Sequence, residues 1–345
     1  MNKRKKLVII GGGFAGTYIA KNLENEFDTT LIDEKDYFEY TPGVLRTIVQ
    51  PSAITKLQSP HNSYLKNTKL IIGEAKEMHR THILINNKKL KFDYLVLATG
   101  SRYSKASESD IISTIKAIEL KENFDRLKKA KNILIIGGGI TGVELAAEIT
   151  TKYKNKEITL INKDSRLIPK QNIKASKYAK KFLKKNNVKV LLNQKIVKNY
   201  RNECLTNKGN KICPDLIFRC LGILPNSSLM EKNFLNKLDN GYIKTNKYMQ
   251  LEGFKNIFVA GDVTNIKEEK LAQNAEEHAK VIVENLRNLE NKEKLRKYQI
   301  KPRIMVISLG KHNGIITYKK FAIAGFITAI IKSIIEYLVM KNHRI

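Results

Sequence analysis

Two glycine-rich segments of this chain have the spacing that can bind phosphate groups. Each has the pattern GxGxxG after a short apolar run and ahead of a helix-forming stretch. The glycines are Gly11, Gly13 and Gly16 in LVIIGGGFAGTYIA (residues 7–20) and Gly137, Gly139 and Gly142 in ILIIGGGITGVELA (residues 133–146). In this pattern the first glycine permits a tight turn, the second lets a pyrophosphate approach the backbone, and the third lets helix and strand pack closely. The N–H groups and positive dipole end of the helix then attract the phosphates.

The first segment predicts a strand, a turn and a helix, followed by a second strand. LVIIG is apolar without alternation, which is typical of a strand buried inside a parallel sheet. The second strand, TTLID, ends at Asp33, about 20 residues after the glycines, where a carboxylate can accept a hydrogen bond from a ribose hydroxyl. We therefore predict a dinucleotide site here, with Phe14 and Ala15 beside its glycines.

The second segment predicts another dinucleotide site, with Ile140 and Thr141 at the start of its helix. Its second strand, EITLIN, ends at Asn162 instead of an acid. Without a carboxylate there is less repulsion of a ribose 2′-phosphate, and Lys163 and Arg166 follow closely enough to bind one. The site is therefore predicted to accept NADPH as well as NADH. Asn162 could still hydrogen-bond a ribose hydroxyl, so a preference for NADH stays open.

Two dinucleotide sites in one chain are useful when one holds a flavin and the other a nicotinamide. Hydride can pass from the nicotinamide to the flavin, which can release electrons singly or in pairs. The duplicated turn therefore predicts an electron-transfer enzyme with FAD as resident cofactor and NADH or NADPH as co-substrate.

Two further segments resemble the two-dinucleotide-binding flavoproteins, the pyridine nucleotide-disulfide oxidoreductase superfamily. KFDYLVLATGSR (residues 91–102) is similar to the segment that closes their first domain, and KNIFVAGDVTN (residues 255–265) to their second flavin motif. The resemblance implies an α/β fold with two Rossmann-like domains, the nicotinamide domain being inserted in the flavin domain. It also implies five further FAD-binding residues: Ala98, Thr99, Gly100, Gly261 and Asp262.

Within that superfamily the chain most resembles type II NADH:quinone oxidoreductases and the ferroptosis-suppressor or AMID branch of apoptosis-inducing-factor-like proteins. The matching segments are LIDEKDYFEYTPGVLRTIVQP (residues 31–51), LAQNAEEHAK (residues 271–280) and ISLGKHNGI (residues 307–315). By this resemblance Glu144 would contact the nicotinamide and Gln273 would border flavin and quinone, both as catalytic residues. The alternative for Glu144 is a solvated helix residue.

Cysteine and metal chemistry are not predicted. Disulfide reductases need a cysteine pair near the first flavin helix, whereas this chain has only Cys204, Cys213 and Cys220. These three are expected to be ordinary, partly buried residues, and no disulfide framework suggests export. The histidines lack the spacing of metal ligands, so no metal site is predicted.

The predicted organisation has four parts. Residues 1–107 form the first part of the FAD-binding domain, 108–240 the NAD(P)H-binding domain, and 241–300 the second part of the FAD-binding domain. SRYSKASESD (residues 101–110) is polar and suits an interdomain connection. Residues 301–345 are predicted to be a membrane-association segment, and residues 284–302 are expected to be helical as far as Pro302.

The C-terminal segment KKFAIAGFITAIIKSIIEYLVMKNHRI predicts an amphipathic helix at a membrane surface. Its apolar run is shorter than the roughly 20 residues of a spanning helix. On a helix Thr328, Lys332 and Glu336 share one face, which leaves a wide apolar face elsewhere. Basic residues flank the run and could attract an anionic membrane. The alternative is a helix packed on the body of the protein or on the partner in a homodimer.

The chain carries 63 Lys and Arg against 33 Asp and Glu, a net charge of +30. Such a charge could attract nucleic acid, an anionic membrane or an acidic protein. Because lysine is spread over almost the whole chain, a general compositional bias is favoured over a dedicated nucleic-acid surface.

The sequence therefore predicts a cytoplasmic, peripherally membrane-associated NAD(P)H:quinone oxidoreductase that uses FAD and pumps no protons. Two alternatives stay open: a flavoprotein reductase for a soluble electron-carrier protein or other small acceptor, and an apoptosis-inducing-factor-like DNA-binding or signalling flavoprotein.

Overall fold

A computed structural model describes residues 3–103, 111–112, 116–200 and 203–344 of the chain. The N-terminal strands are β1 (Lys6–Ile10), β2 (Asp28–Asp33), β3 (Tyr37–Glu39), β4 (Gln58–Pro60), β5 (Lys69–Ile72), β6 (Ala75–Met78), β7 (His82–Ile85), β8 (Lys88–Lys91), β9 (Tyr94–Leu97) and β10 (Ser101–Tyr103). The middle strands are β11 (Ile111–Ile112), β12 (Asn132–Ile136), β13 (Glu157–Ile161), β14 (Val188–Leu191), β15 (Ile196–Tyr200), β16 (Glu203–Thr206), β17 (Lys211–Ile212), β18 (Leu216–Arg219) and β19 (Ile223–Pro225). The C-terminal strands are β20 (Leu238–Asp239), β21 (Tyr242–Ile243), β22 (Ile257–Val259), β23 (Met305–Ser308), β24 (Gly314–Tyr318) and β25 (Phe321–Gly325).

Helices connect and cover these strands. They are α1 (Phe14–Leu23), α2 (Ile54–Leu57), α3 (His61–Tyr64), α4 (Ala117–Glu122), α5 (Phe124–Lys129), α6 (Ile140–Lys152), α7 (Ile173–Lys185), α8 (Glu231–Phe234), α9 (Ala272–Glu290) and α10 (Phe326–Asn342). A 3-10 helix spans Thr41–Ile48.

The fold contains two parallel sheets, as the two glycine segments predict. The first has the strand order β22-β9-β1-β2-β5, and the second has the order β11-β18-β12-β13-β14. In sequence, the strands of the second sheet lie between β9 and β22 of the first. The prediction of one Rossmann-like unit inserted into another is therefore confirmed. Each glycine turn begins directly after the central strand of its sheet, β1 or β12.

Each sheet is buried because its strands are continuous apolar runs. Leu7, Ile9 and Val96 are 0% exposed in the first sheet, and Ile135 and Leu160 are 0% exposed in the second. Burying a side chain of this size stabilises the fold by roughly 1.5–3 kcal/mol. The sheets are therefore rigid supports for the turns at their carboxyl ends.

The predicted domain boundaries stay predictions. The first of them, between residues 107 and 108, lies outside the described residues, as do residues 104–110 of the polar connection. The start of that connection, Ser101–Tyr103, is the strand β10, which pairs antiparallel with β19.

The C-terminal region departs from the predicted helices in two places. The helix expected to reach Pro302 ends at Glu290, because two of its asparagines bind the backbone that follows. Asn285 donates to the Arg296 carbonyl and accepts from the Arg296 N–H, and Asn288 donates to the Lys294 carbonyl. The apolar run from Phe321 begins as the strand β25, which pairs with β24. Gly325, with a φ of 128°, separates that strand from α10. None of the described helices has the length and hydropathy to cross a membrane.

Candidate functional site

The first glycine turn has the geometry that its sequence predicts. Gly11 has a φ of +104°, and a Cβ there would overlap the Ala98 carbonyl. A Cβ on Gly16 would overlap the Gly11 carbonyl, so α1 can pack against the turn only because residue 16 has no Cβ. Gly13 is the N-cap of α1, and a Cβ on it would meet no heavy atom within 4 Å. Neighbouring backbone therefore fills the space beside Gly11 and Gly16, whereas the space beside Gly13 is open.

The second turn repeats this arrangement residue by residue. Gly137 has a φ of +112°, with the Cys220 carbonyl where a Cβ would lie, and Gly142 packs on the Gly137 carbonyl. Gly139 is the N-cap of α6 and faces open space. The Cys220 side chain, which sequence reasoning treated as ordinary, lies beside this turn, and burial raises the pKa of its thiol to about 12.

The residues at the two strand ends have equivalent positions. Asp33 accepts hydrogen bonds from the Gly12 N–H and, at 2.8 Å, from the Lys35 N–H. Asn162 accepts from the Gly138 N–H at 3.2 Å and donates to the Arg166 carbonyl at 2.9 Å. The Asp33 side chain therefore fixes the backbone N–H of Gly12, and the Asn162 side chain fixes that of Gly138.

The two predicted cations near Asn162 differ in their contacts. The Arg166 guanidinium donates to the Pro169 carbonyl and, at 3.0 Å, to the Gln171 carbonyl, so it fastens its own loop. The Lys163 side chain is exposed. Lys163 is therefore the better candidate for contact with a 2′-phosphate.

We expect Lys163→Ala to raise the KM for NADPH about fivefold and to leave the KM for NADH unchanged, because an exposed charge pair contributes about 1 kcal/mol. Steady-state kinetics with both nucleotides would measure this. Lys170→Ala, which removes an exposed lysine from the same loop, is the matched control. Equal changes for NADH and NADPH in Lys163→Ala would contradict the assignment.

The short strand β10 links Asp262 of the predicted flavin motif to the start of α6 at the second glycine turn. Ser101 donates a hydrogen bond to the Asp262 carboxylate at 2.8 Å, and the Tyr103 hydroxyl lies 2.8 Å from the Thr141 hydroxyl at the start of α6. Burial raises the pKa of Tyr103 to about 12, and the charges of Glu144 and Asp262 add to this. Sequence reasoning missed Ser101 and Tyr103, although their alternate positions directly after Gly100 were a signal for side chains on one strand face.

The predicted flavin-motif residues converge at the same edge of the first sheet. Ala98 lies over Gly11, and the Thr99 hydroxyl donates to the Asn226 carbonyl. Gly100 and Gly261 have φ values of +66° and +76°, which favour glycine. Burial raises the pKa of Asp262, against the hydrogen bond from Ser101 and the charge of Lys270.

Glu144 is not the solvated helix residue of the alternative interpretation. Its carboxylate is held against β23, where it accepts a hydrogen bond from the Ser308 N–H at 2.7 Å. Burial raises the pKa of Glu144, and the nearby charge of Lys332 on α10 opposes this. The sequence places Lys332 on one face of the C-terminal helix with Thr328 and Glu336 but does not reveal this charge interaction with Glu144.

Gln273 lies in the first turn of α9. Its side-chain amide donates to the Ile304 carbonyl at 3.0 Å, one residue before β23. Glu144 and Gln273 are therefore both held by the segment around β23, which belongs to the sheet on which α10 packs.

An ion pair fastens α10 to the body of the protein. Arg46 and Glu336 lie 2.6 Å apart, and only 13% of the Glu336 side chain is exposed. We expect Arg46→Met to lower the free energy of unfolding by about 1–2 kcal/mol, because Glu336 would keep a largely buried charge without this partner.

Urea denaturation would measure this effect. Lys232→Met is the control, because its pair with Glu77 is at the surface and 68% of the Lys232 side chain is exposed. Equal losses of stability in the two variants would contradict the prediction.

The comparisons with known proteins agree with this geometry. Residues 5–279 match the family described as pyridine nucleotide-disulphide oxidoreductase. The chain belongs to that family. It is an oxidoreductase that uses FAD and NAD(P)H.

Relatives in sequence cover almost the whole chain. "Apoptosis-inducing factor homolog B" of Dictyostelium discoideum is 34% identical over 96% of this chain and 94% of its own length. "Ferroptosis suppressor protein 1" of Mus musculus is 30% identical over 95% of this chain and 92% of its own length.

Solved structures share the fold. NDH2 from Plasmodium falciparum, in complex with NADH, has a TM-score of 0.87 at 17% identity and covers 99% of this chain and 96% of its own. The sulfide:quinone oxidoreductase of Aquifex aeolicus has a TM-score of 0.86 at 19% identity, covering 99% of this chain and 91% of its own.

The described residues fit both cofactors of this oxidoreductase. The open space in front of Gly13 and Gly139 leaves the backbone of each helix start accessible to a pyrophosphate. Asp33 and Asn162 lie at the ends of β2 and β13, which is where proteins of this fold carry the residue that hydrogen-bonds the ribose.

Proposed function

We propose that this protein is an FAD-dependent NAD(P)H:quinone oxidoreductase that works at the surface of an anionic membrane. FAD would bind at Gly11, Gly13, Gly16, Asp33 and Asp262, and NAD(P)H at Gly137, Gly139, Gly142 and Asn162. The single observation that carries the membrane part of the proposal is the orientation of α10, which turns its polar side inwards.

The inward side of α10 is its polar side. Thr328 is 1% exposed, and Glu336 pairs with Arg46 of the 3-10 helix. Burial raises the pKa of Glu144 and Glu148, and the positive charge of Lys332 opposes this, so Lys332 also lies close to the body of the protein. The polar stripe recognised in the sequence is therefore used for attachment to the body.

The outward side of α10 is apolar and continues onto β25. Its exposed fractions are far larger than those of core residues: 76% for Phe321, 67% for Ile323, 60% for Phe326, 71% for Ile327, 51% for Ile334, 65% for Tyr337 and 53% for Leu338. We call these seven residues the apolar face. A contiguous face of large apolar side chains marks an interaction site in a soluble protein.

A lipid surface is the occupant that the surrounding charges favour. Lys319 and Lys320 precede the apolar face and Lys341 and Arg344 follow it, all four exposed. Basic residues around an apolar helix face add about 1 kcal/mol each near an anionic leaflet. The net charge of +30 acts in the same direction.

The chain's own residues have three tasks in the proposed reaction. The two glycine turns would hold the dinucleotides, and β10 joins the Gly261–Asp262 turn to the start of α6 through Ser101 and Tyr103. The apolar face would bring the acceptor site to the lipid, where a quinone is dissolved. When bound, FAD accepts a hydride from NAD(P)H and passes the electrons to the acceptor.

The names of two solved neighbours support a quinone as acceptor. One solved neighbour is named a sulfide:quinone oxidoreductase, and another is NDH2 with NADH bound. Gln273 and Glu144 contact the segment around β23, which precedes α10, and this is consistent with an acceptor arriving from that side.

Vesicles test the proposal. We expect the purified holoprotein to cosediment with anionic vesicles and to oxidise NADH several times faster when those vesicles contain a long-chain quinone. Neutral vesicles with the same quinone are the control for charge. Fast NADH oxidation with a soluble dye but none with quinone in either vesicle would contradict the quinone assignment.

A further inference from the structure

A buried hydrogen-bond chain lies beneath the Gly261–Asp262 turn. The Gly261 N–H donates to His278 Nδ1 at 3.0 Å, and His278 Nε2 lies 2.7 Å from Glu268 Oε1. The Tyr298 hydroxyl donates to the other Glu268 oxygen at 2.8 Å. The His278 and Glu268 side chains are only 2% and 4% exposed. The chain therefore has fixed partners away from bulk water.

Only one pattern of protonation allows every hydrogen bond of this buried hydrogen-bond chain to form. A backbone N–H can only donate, so His278 Nδ1 must carry a lone pair and the ring proton must be on Nε2. Nε2 then donates to the Glu268 carboxylate, which must be ionised to accept from both His278 and Tyr298. Burial would raise the pKa of Glu268, but the hydrogen bonds from His278 and Tyr298 outweigh this and lower it.

Hydrogen bonds hold the Gly261–Asp262 turn from two sides. Gly261 has a φ of +76°, and Asp262 is held from the other side by Ser101. The ring of Tyr298 packs edge-on against His278, with centroids 4.5 Å apart, and keeps the imidazole in its plane. The orientation of the Gly261 amide is therefore set from below by one ring nitrogen.

We propose that His278 is a positioning residue for the flavin site, which holds the Gly261–Asp262 turn in its binding shape, and that Glu268 fixes its tautomer. The proposal rests on the assignment of Asp262 to FAD made above. It concerns cofactor retention, which can be measured without turnover.

The test compares FAD retention by the holoprotein at neutral pH, measured as free flavin fluorescence after dilution. We expect His278→Leu to bind FAD about tenfold more weakly, the effect of one buried unsatisfied donor. His278→Asn, whose Oδ1 can accept from Gly261 in place of Nδ1, should restore most of the affinity. His312→Leu, which replaces an exposed histidine, is the matched control.

Glu268→Gln separates positioning from general stability. The amide keeps an oxygen acceptor for the His278 Nε2–H, so this variant should retain FAD nearly as well as the unchanged protein. A merely structural role of the Glu268 charge would instead weaken FAD binding. Unchanged retention in His278→Leu, or no rescue by His278→Asn, would overturn the proposal. If His278→Leu lost FAD and His278→Asn retained it, but the unchanged holoprotein did not turn over quinone, only the proposed function would fail.

Discussion

Gly139→Val is expected to leave FAD bound and to lower kcat/KM for NADH by at least about 100-fold. Gly139 caps α6 with φ −70° and ψ −175°, an extended conformation that valine adopts readily. A Cβ there meets no heavy atom within 4 Å, so the fold can accept the side chain. The added methyl groups would occupy the space that a pyrophosphate needs at the start of the helix.

The equivalent change in the first turn is the matched control. Gly13 caps α1 with φ −84° and ψ −163° and also faces open space. Gly13→Val should therefore yield a folded protein without FAD, whereas Gly139→Val should show the full flavin absorbance and no bleaching by NADH. Loss of flavin in Gly139→Val, or normal reduction by NADH, would contradict the assignment of the two turns.

Replacing two isoleucines of the apolar face should abolish membrane binding. Ile327 and Ile334 are 71% and 51% exposed and make the outward side of α10. The double variant Ile327→Glu, Ile334→Glu puts two charges where lipid contact is proposed, so we expect at least a tenfold loss in vesicle binding and an equal loss of vesicle-quinone turnover. Reduction of a soluble dye should be unchanged, because neither side chain belongs to the glycine turns.

Cosedimentation and turnover would be measured on the same samples. Leu235→Glu replaces a side chain that is 67% exposed on another part of the surface and should have no effect. A double variant that still binds vesicles would contradict the membrane assignment. If instead the double variant changed a dimer into a monomer without affecting vesicle binding, the apolar face would be a protein interface.

The glycine turns could be predicted from sequence because their chemistry is local. Gly11 and Gly137 must have positive φ values, and Gly16 and Gly142 must lack a Cβ, for reasons contained within some twenty residues of chain. The burial of the central strands inside parallel sheets also follows from the unbroken apolar runs that precede each turn. These parts of the fold were therefore predicted correctly.

Contacts between distant segments could not be predicted in the same way. Spacing in α10 indicates that Thr328, Lys332 and Glu336 share a face, but not that this face lies towards the body. That depends on Arg46, almost 300 residues away, and on the half-buried carboxylate of Glu144. A pattern within one helix identifies its sides and leaves their partners unknown.

The two errors in secondary structure have local causes that periodicity does not reveal. Residues 291–302 are charged like an exposed helix, yet Lys292 has a φ of +59° and asparagine side chains of α9 bind the backbone that follows. The apolar residues Phe321–Gly325 are compatible with either a helix or a strand. They form a strand because they pair with β24.

Single-turnover kinetics test the proposed function most directly. The holoprotein would be bleached anaerobically with one equivalent of NADH and then mixed with a short-chain quinone, while flavin absorbance is followed. We predict that the absorbance returns at a rate at least equal to steady-state quinone turnover. Flavin that is bleached by NADH but is restored only by a soluble iron-sulfur protein, and not by quinone, would contradict the account.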